Sequence, residues 1–190
     1  MSSHPSVLFL DANVLFSACC RDLLIESSLV GQCHCRWTAE VLEEVRVALM
    51  RARPDLKPRQ VGRLFDLLAN ACPEAQAKTR HVDALTLPAL RDPADLHVLY
   101  GALETGSDVI LTFNLRHFPP RVLRRVGLMA MTPDQWLCAR AKAVPAAMIE
   151  VADRCRNRLI RPSLSKVDHL KALRRSGLTQ FADFLASRVG

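Results

Sequence analysis

Apolar residues along the first two thirds of the chain fall into two kinds of pattern. Val7, Leu8, Phe9 and Leu10 form an unbroken run that ends at Asp11, and Val109, Ile110 and Leu111 form another, followed by Thr112 and Asn114. Short continuous apolar runs rich in branched residues predict strands buried on both faces. Cys33 to Trp37 predicts a further strand, and Leu128 to Met131 a last one at the sheet edge. Between them the spacing turns helical. Val14, Leu15, Phe16, Ala18, Leu23, Leu24 and Ile25 form one stripe, Val41, Leu42, Val45, Ala48 and Leu49 a second, Val61, Leu64, Phe65 and Leu68 a third, and Leu96, Leu99, Tyr100 and Leu103 a fourth. Strands interleaved with amphipathic helices predict an α/β body around a parallel sheet.

The punctuation agrees with the periodicity. Thr38 is placed to cap the helix that begins near Ala39, and Pro54 and Pro58 separate it from the helix over 57–71. Residues 82–90 read as an extended connection to Asp92, an N-cap with Pro93 at the first helical position, and Gly106 ends the helix that follows. Pro119 and Pro120 open a short basic helix over 121–126. After Thr132 the pattern is helical throughout, over 135–143, 146–159, 164–174 and 179–187, broken by Pro145, Pro162 and Gly177. The expected organisation is therefore an α/β body over 1–131 and a small all-helical extension over 132–190.

Length and composition narrow the class. At 190 residues, 49% of them hydrophobic, the chain can bury a real core, and no apolar run approaches the length needed to cross a bilayer. The MSSHPSV start lacks the basic segment and apolar stretch of a secretory leader, which sets the expectation of a cytoplasmic protein. Seven cysteines without a CxxC pair read as reduced, buried small hydrophobes. Cys33, His34 and Cys35 lack the second ligand pair that a zinc site needs. Charge is divided unevenly: residues 1–118 carry 12 Lys and Arg against 14 Asp and Glu, residues 119–190 carry 14 against 5, so the formal +7 arises as −2 and +9. A basic second part predicts a polyanionic partner. An aromatic content of 5% argues against base stacking as the main mode of binding it.

Five positions carry candidate chemistry. Asp11, at the end of a buried strand, either caps the next helix or serves a site, because a carboxylate buried without donors or a cation costs several kcal/mol. Glu44 falls beside the edge of its helix's apolar stripe, where it can point over the sheet rim or pair with Arg46 or Arg51; Glu43 faces solvent. Asp95, at the third helical position, suits the helix dipole as well as a site. Thr112 and Asn114 are turn residues by composition, yet they stand where open parallel sheets place their ligand sites.

In this order the motifs resemble a PIN domain, and within that family the stand-alone bacterial VapC-type toxins. FLDANVLFSA resembles the opening strand with its acid, at Asp11; WTAEVLEEVRVAL resembles the helix with the second acid, at Glu44; RDPADLHVLYGALETGSDVILTFNLRHFP resembles the segment with the third acid, at Asp95. The resemblance covers about residues 5–131 and fits the branch in which Asn, here Asn114, replaces a fourth acid and a helical tail follows. It implies a three-layer α/β/α fold around a central parallel sheet. It also implies an endoribonuclease with Mg²⁺ or Mn²⁺ held by Asp11, Asp95 and Glu44, Asn114 completing the catalytic set and Asn13, Asp92 and Thr112 supporting it. RNA is the implied substrate, met by Arg116, Arg121, Arg124 and Arg125, with a small cognate antitoxin as partner; a homodimer is compatible with it, and a membrane role is not implied. Two alternatives stand beside this reading. A phosphatase of the haloacid dehalogenase type shares the strand–Asp opening, although Asn13 occupies the place of its general acid, and an inactive interaction domain would account for the missing fourth acid.

Overall fold

The computed structural model describes residues 5–83, 87–88, 90, 92–158 and 164–188. Four strands, β1 (Ser6–Leu10), β2 (Cys33–Arg36), β3 (Val109–Leu111) and β4 (Met129–Met131), form one parallel sheet in the order β2-β1-β3-β4. The helices of the α/β body are α1 (Ala12–Phe16), α2 (Ala18–Leu29), α3 (Ala39–Ala52), α4 (Pro58–Ala71), α5 (Leu96–Glu104) and α6 (Pro120–Leu123). Chain order turns outward from β1 in both directions, to β2 on one side and β3 on the other. The crevice at their carboxyl ends is therefore the place where an open parallel sheet accepts a ligand.

Strand register decides which helix covers which face. Leu8 pairs with Cys35 and Phe9 with Arg36, so Leu8, Cys33 and Cys35 share one face, and Phe9 lies on the other. The Cys33 and Cys35 thiols point at the Leu24 carbonyl, which puts α2 over the first face. Gly101 puts α5 over the second. A Cβ there would come within 2.7 Å of the Phe9 ring and the Thr38 methyl, so the helix approaches the sheet as closely as its backbone allows. Both faces are covered, as an all-parallel sheet requires, and the three-layer α/β/α expectation is met.

Several expected boundaries shift. The single helix expected from Val14 to Ile25 is two, because Ser17 is extended (φ −72°, ψ 109°) and breaks α1 from α2. The helix expected from Pro93 starts as a 3-10 turn, Pro93–Asp95, before α5, and the basic helix ends in another, Arg124–Val126, closed by Gly127 in the left-handed region. Parts of the expected 82–90 connection and Leu159, the expected end of the second tail helix, lie outside the described residues.

The tail forms α7 (Pro133–Ala143), α8 (Pro145–Arg158), α9 (Lys166–Arg175) and α10 (Thr179–Ala186). Asp134 in α7 accepts the Gln180 and Phe181 N–H groups at the start of α10, which closes the four helices on themselves. They also lie against the body. Leu137, Met148, Val151 and Phe181 belong to the same buried cluster as Leu8, Leu24 and Ile110. Glu26 of α2, fully buried, is paired with Arg154 at 3.4 Å and Arg158 at 2.6 Å from α8. Among the described residues no helix is long and apolar enough to cross a membrane.

Candidate active site

Asp11 is the first residue past β1. Its N–H still belongs to the sheet, donating to the Leu111 carbonyl at 3.1 Å, while its side chain caps α1, Oδ1 accepting the Ala12 N–H at 2.6 Å. Oδ2 accepts from the Thr112 hydroxyl and from the Asn13 carboxamide, each at 2.6 Å. Asn13 also donates to Thr112 Oγ1 at 3.1 Å and accepts the Phe113 N–H at 3.1 Å, and Thr112 Oγ1 accepts the Asn114 N–H at 3.0 Å. Asp11 thus both caps a helix and stands in a network that stitches the ends of β1 and β3 together. Burial pushes its carboxyl above the usual carboxylate range, against the lowering by Thr112, the Ala12 N–H, the nearby His97 and Asn13.

Glu44 projects from the second turn of α3, and its side chain is 45% exposed. Neither Arg46 nor Arg51 partners it: Arg46 is paired with Glu43, and Glu44 Oε1 lies 3.2 Å from His97 Nε2. Burial raises its carboxyl, His97 counters that, and the charge of Asp11 raises it further. Asp11, Glu44 and His97 therefore share one electrostatic field.

Asp95 ends the 3-10 turn ahead of α5, and its side chain makes no cap hydrogen bond. The capping is done by exposed Asp92, whose Oδ1 accepts the Ala94 N–H at 3.0 Å. Asp95 instead sets Oδ2 at 2.9 Å from His117 Nδ1, without the alignment of a hydrogen bond. The Arg116 guanidinium donates to His117 Nε2 at 3.2 Å, on the far side of the ring from Asp95. Asn114 is exposed and its carboxamide makes no cap bond. Arg116, Arg121, Arg124 and Arg125 are exposed on the segment that follows. The two imidazoles, His97 and His117, are neighbours of the candidate acids that the sequence reading did not single out. The available signal was their spacing, two residues after Asp95 and three after Asn114.

Two family models match the chain, a PIN domain over residues 7–116 and a VapC50 C-terminal domain over residues 133–187. The chain belongs to the PIN-domain family. Together the matches make it a VapC-type PIN toxin with a C-terminal helical extension, a family of nuclease-type hydrolases. No curated protein and no solved structure matches it significantly.

The PIN-domain site can be tested for its fit to a divalent cation. Among the described residues no three His, Cys, Asp or Glu side chains form a closed metal cage. The donor chemistry nevertheless fits. Asp11 and Glu44 repel each other and both are raised by burial. Asp95 Oδ2 is buried without a hydrogen-bond partner among the described residues. All-oxygen, acidic donors of this kind suit Mg²⁺ or Mn²⁺ and not a soft metal.

Proposed function

We propose that this PIN domain is a Mg²⁺- or Mn²⁺-dependent endoribonuclease, the toxin of a toxin–antitoxin pair, acting in the cytoplasm. The observation that carries it is the Asp11 network at the β1–β3 crevice, with Glu44 in the same field and Asp95 free of capping duty. Asp11, Glu44 and Asp95 would hold the ion, which when bound lowers the pKa of a water and neutralises charge on the phosphate. Thr112 and Asn13 fix the Asp11 carboxylate, so that it cannot rotate away as substrate enters. Asn114 offers an uncharged carboxamide to orient water or a phosphate oxygen. Arg116, Arg121, Arg124 and Arg125 draw the RNA backbone to the rim. The body over 1–131 carries the chemistry and the extension over 132–190 adds positive charge, a division supported by the two matched ranges.

Purified Asp11→Asn and Asp95→Asn variants test the assignment. Each is expected to lose metal-dependent cleavage by about 100-fold or more and to weaken Mn²⁺ binding read by electron paramagnetic resonance, with an unchanged circular dichroism spectrum. Cleavage retained by both, with contaminating nuclease excluded, would sink the site.

A restrained toxin also needs an inhibitor that suits this charge pattern. The centre is acidic and the rim basic, so an antitoxin segment is expected to set an Arg or Lys on Asp11, Glu44 and Asp95 and acidic residues on the arginines, with apolar anchors supplying most of the affinity. Coexpression with the small open reading frame beside the gene should yield a complex without nuclease activity. A free, fully active chain would remove the toxin role and leave the nuclease role standing.

A further inference from the structure

The helical extension forms a half-open pocket of about 70 Å³ between α8, α9 and the end of α10, lined by four aliphatic side chains together with Arg156, Lys166, His169, Arg188 and Asp153. Three fixed cations face one carboxylate there. Asp153 lies 3.4 Å from Arg156 and is the only acid among the described residues that line the pocket. Arg156 is held loosely: its two terminal nitrogens reach Asp153 and the Leu164 carbonyl, each at 3.4 Å, and Nε is buried without a hydrogen-bond partner among the described residues. Lys166, at the start of α9, has no acidic partner among the described residues, and Arg188 stands over the Phe184 ring at 5.5 Å without one. His169 is 8% exposed. Arg156 Nε is thus a buried donor left unpaired, which is costly unless an acceptor completes it, while exposed Lys166 and Arg188 add positive charge at the mouth. The volume is several times what one water needs, roughly 10–15 Å³, and is of the order of a single tetrahedral oxyanion.

We propose that this pocket binds a phosphate group of an RNA strand, through Arg156, Lys166 and Arg188 with the His169 ring N–H as a neutral donor. Planar Arg donors suit two phosphate oxygens at once, and Lys supplies a point charge. Cationic donors of this kind meet phosphate oxygens, so the pocket reads backbone and not sequence. It would anchor a strand on the extension, away from the carboxylates that cut. The choice of RNA as the polyanion rests on the ribonuclease reading; the phosphate site itself does not.

The test uses the full-length chain carrying Asp11→Asn, in EDTA, and follows the His169 ring resonances by NMR. Titration with inorganic phosphate and, separately, with a 5′-phosphorylated 12-nucleotide RNA should each shift them saturably. Arg156→Gln should abolish the phosphate response, weaken RNA binding about tenfold and make the salt dependence of RNA affinity shallower by about one unit of slope. Lys166→Gln, at an exposed helix start, should act in the same direction and serves if Arg156→Gln fails to fold. Absence of a saturable His169 shift with either probe overturns the site. A shift with inorganic phosphate, with RNA affinity and slope unchanged in the variants, overturns the RNA assignment and leaves a free-phosphate pocket.

Discussion

Asp11 shows how one residue can satisfy a structural and a chemical demand together. As a cap it accepts the Ala12 N–H, and as a site residue it keeps Oδ2 on Thr112 and Asn13. The capping reading is realised in Oδ1, while Oδ2 is held by Thr112 and Asn13 at the strand ends, as the proposed site role requires. For Asp95 the same pair of readings separates, because Asp92 takes the cap and leaves Asp95 beside His117. His169 gives a prediction at this scale. Burial, with help from the charge on Arg156, lowers its pKa below the usual 6.5. The unfolded chain therefore binds a proton that the folded chain resists, and this residue's contribution is present above about pH 6.5 and lost as pH falls through the lowered folded value. Thermal melts at pH 7.5 and 5.5 should show a larger acid loss for the native chain than for His169→Gln, and equal losses would mean that the ring protonates freely in place.

At the scale of elements, the close approach of α5 to the sheet positions both Asp95 and His97. Gly101 is the contact point: an added methyl would overlap the Phe9 ring and the Thr38 side chain, and Thr38 caps α3, the helix that carries Glu44. Gly101→Ala adds helix propensity but overpacks this junction. The expected net effect is a destabilisation of about 1–3 kcal/mol, read as a lower urea midpoint, together with weaker metal-dependent cleavage because α3 and α5 no longer meet correctly. A stabilised or unchanged variant would show that the junction can relax. The Ser17 break was not legible beforehand, since the apolar stripe runs through it and no Gly or Pro marks it. The 3-10 start at Pro93 lay within the Pro-capped boundary that the sequence did mark.

For the whole molecule, the split in charge suggests that the extension could be removed without harm, and the packing says otherwise. Leu137, Met148, Val151 and Phe181 share a core with the sheet, and the buried Glu26 of α2 has its cations on α8. A chain ending at Met131 would uncover the outer side of α2, at about 1.5–3 kcal/mol for each large apolar side chain exposed. It is expected to lose cooperative unfolding and to bind a hydrophobic dye. A sharp two-state transition in that fragment would show the body folds alone. Point substitutions on the extension are therefore the sound way to separate its charge from its packing role.

What the sequence determined by itself is local in origin. The apolar runs and helical stripes specify four strands and the helices between them; Thr38, Asp92, Pro93, Gly106 and Gly177 mark their ends; and the ordered acids at Asp11, Glu44 and Asp95, followed by Thr112 and Asn114, single out the candidate site. Each rests on side-chain periodicity or backbone preference within a few residues, which a linear chain displays directly. Pairing across distance came instead from the folded arrangement. That Thr112 holds Asp11, that His97 faces Glu44 in place of Arg46, that His117 faces Asp95, and that cations from α8, α9 and the segment after α10 line one pocket follow from how the sheet register and helix packing bring together residues up to 101 positions apart. No periodicity records such pairings, because they depend on the relative placement of elements whose own patterns are satisfied by burial alone.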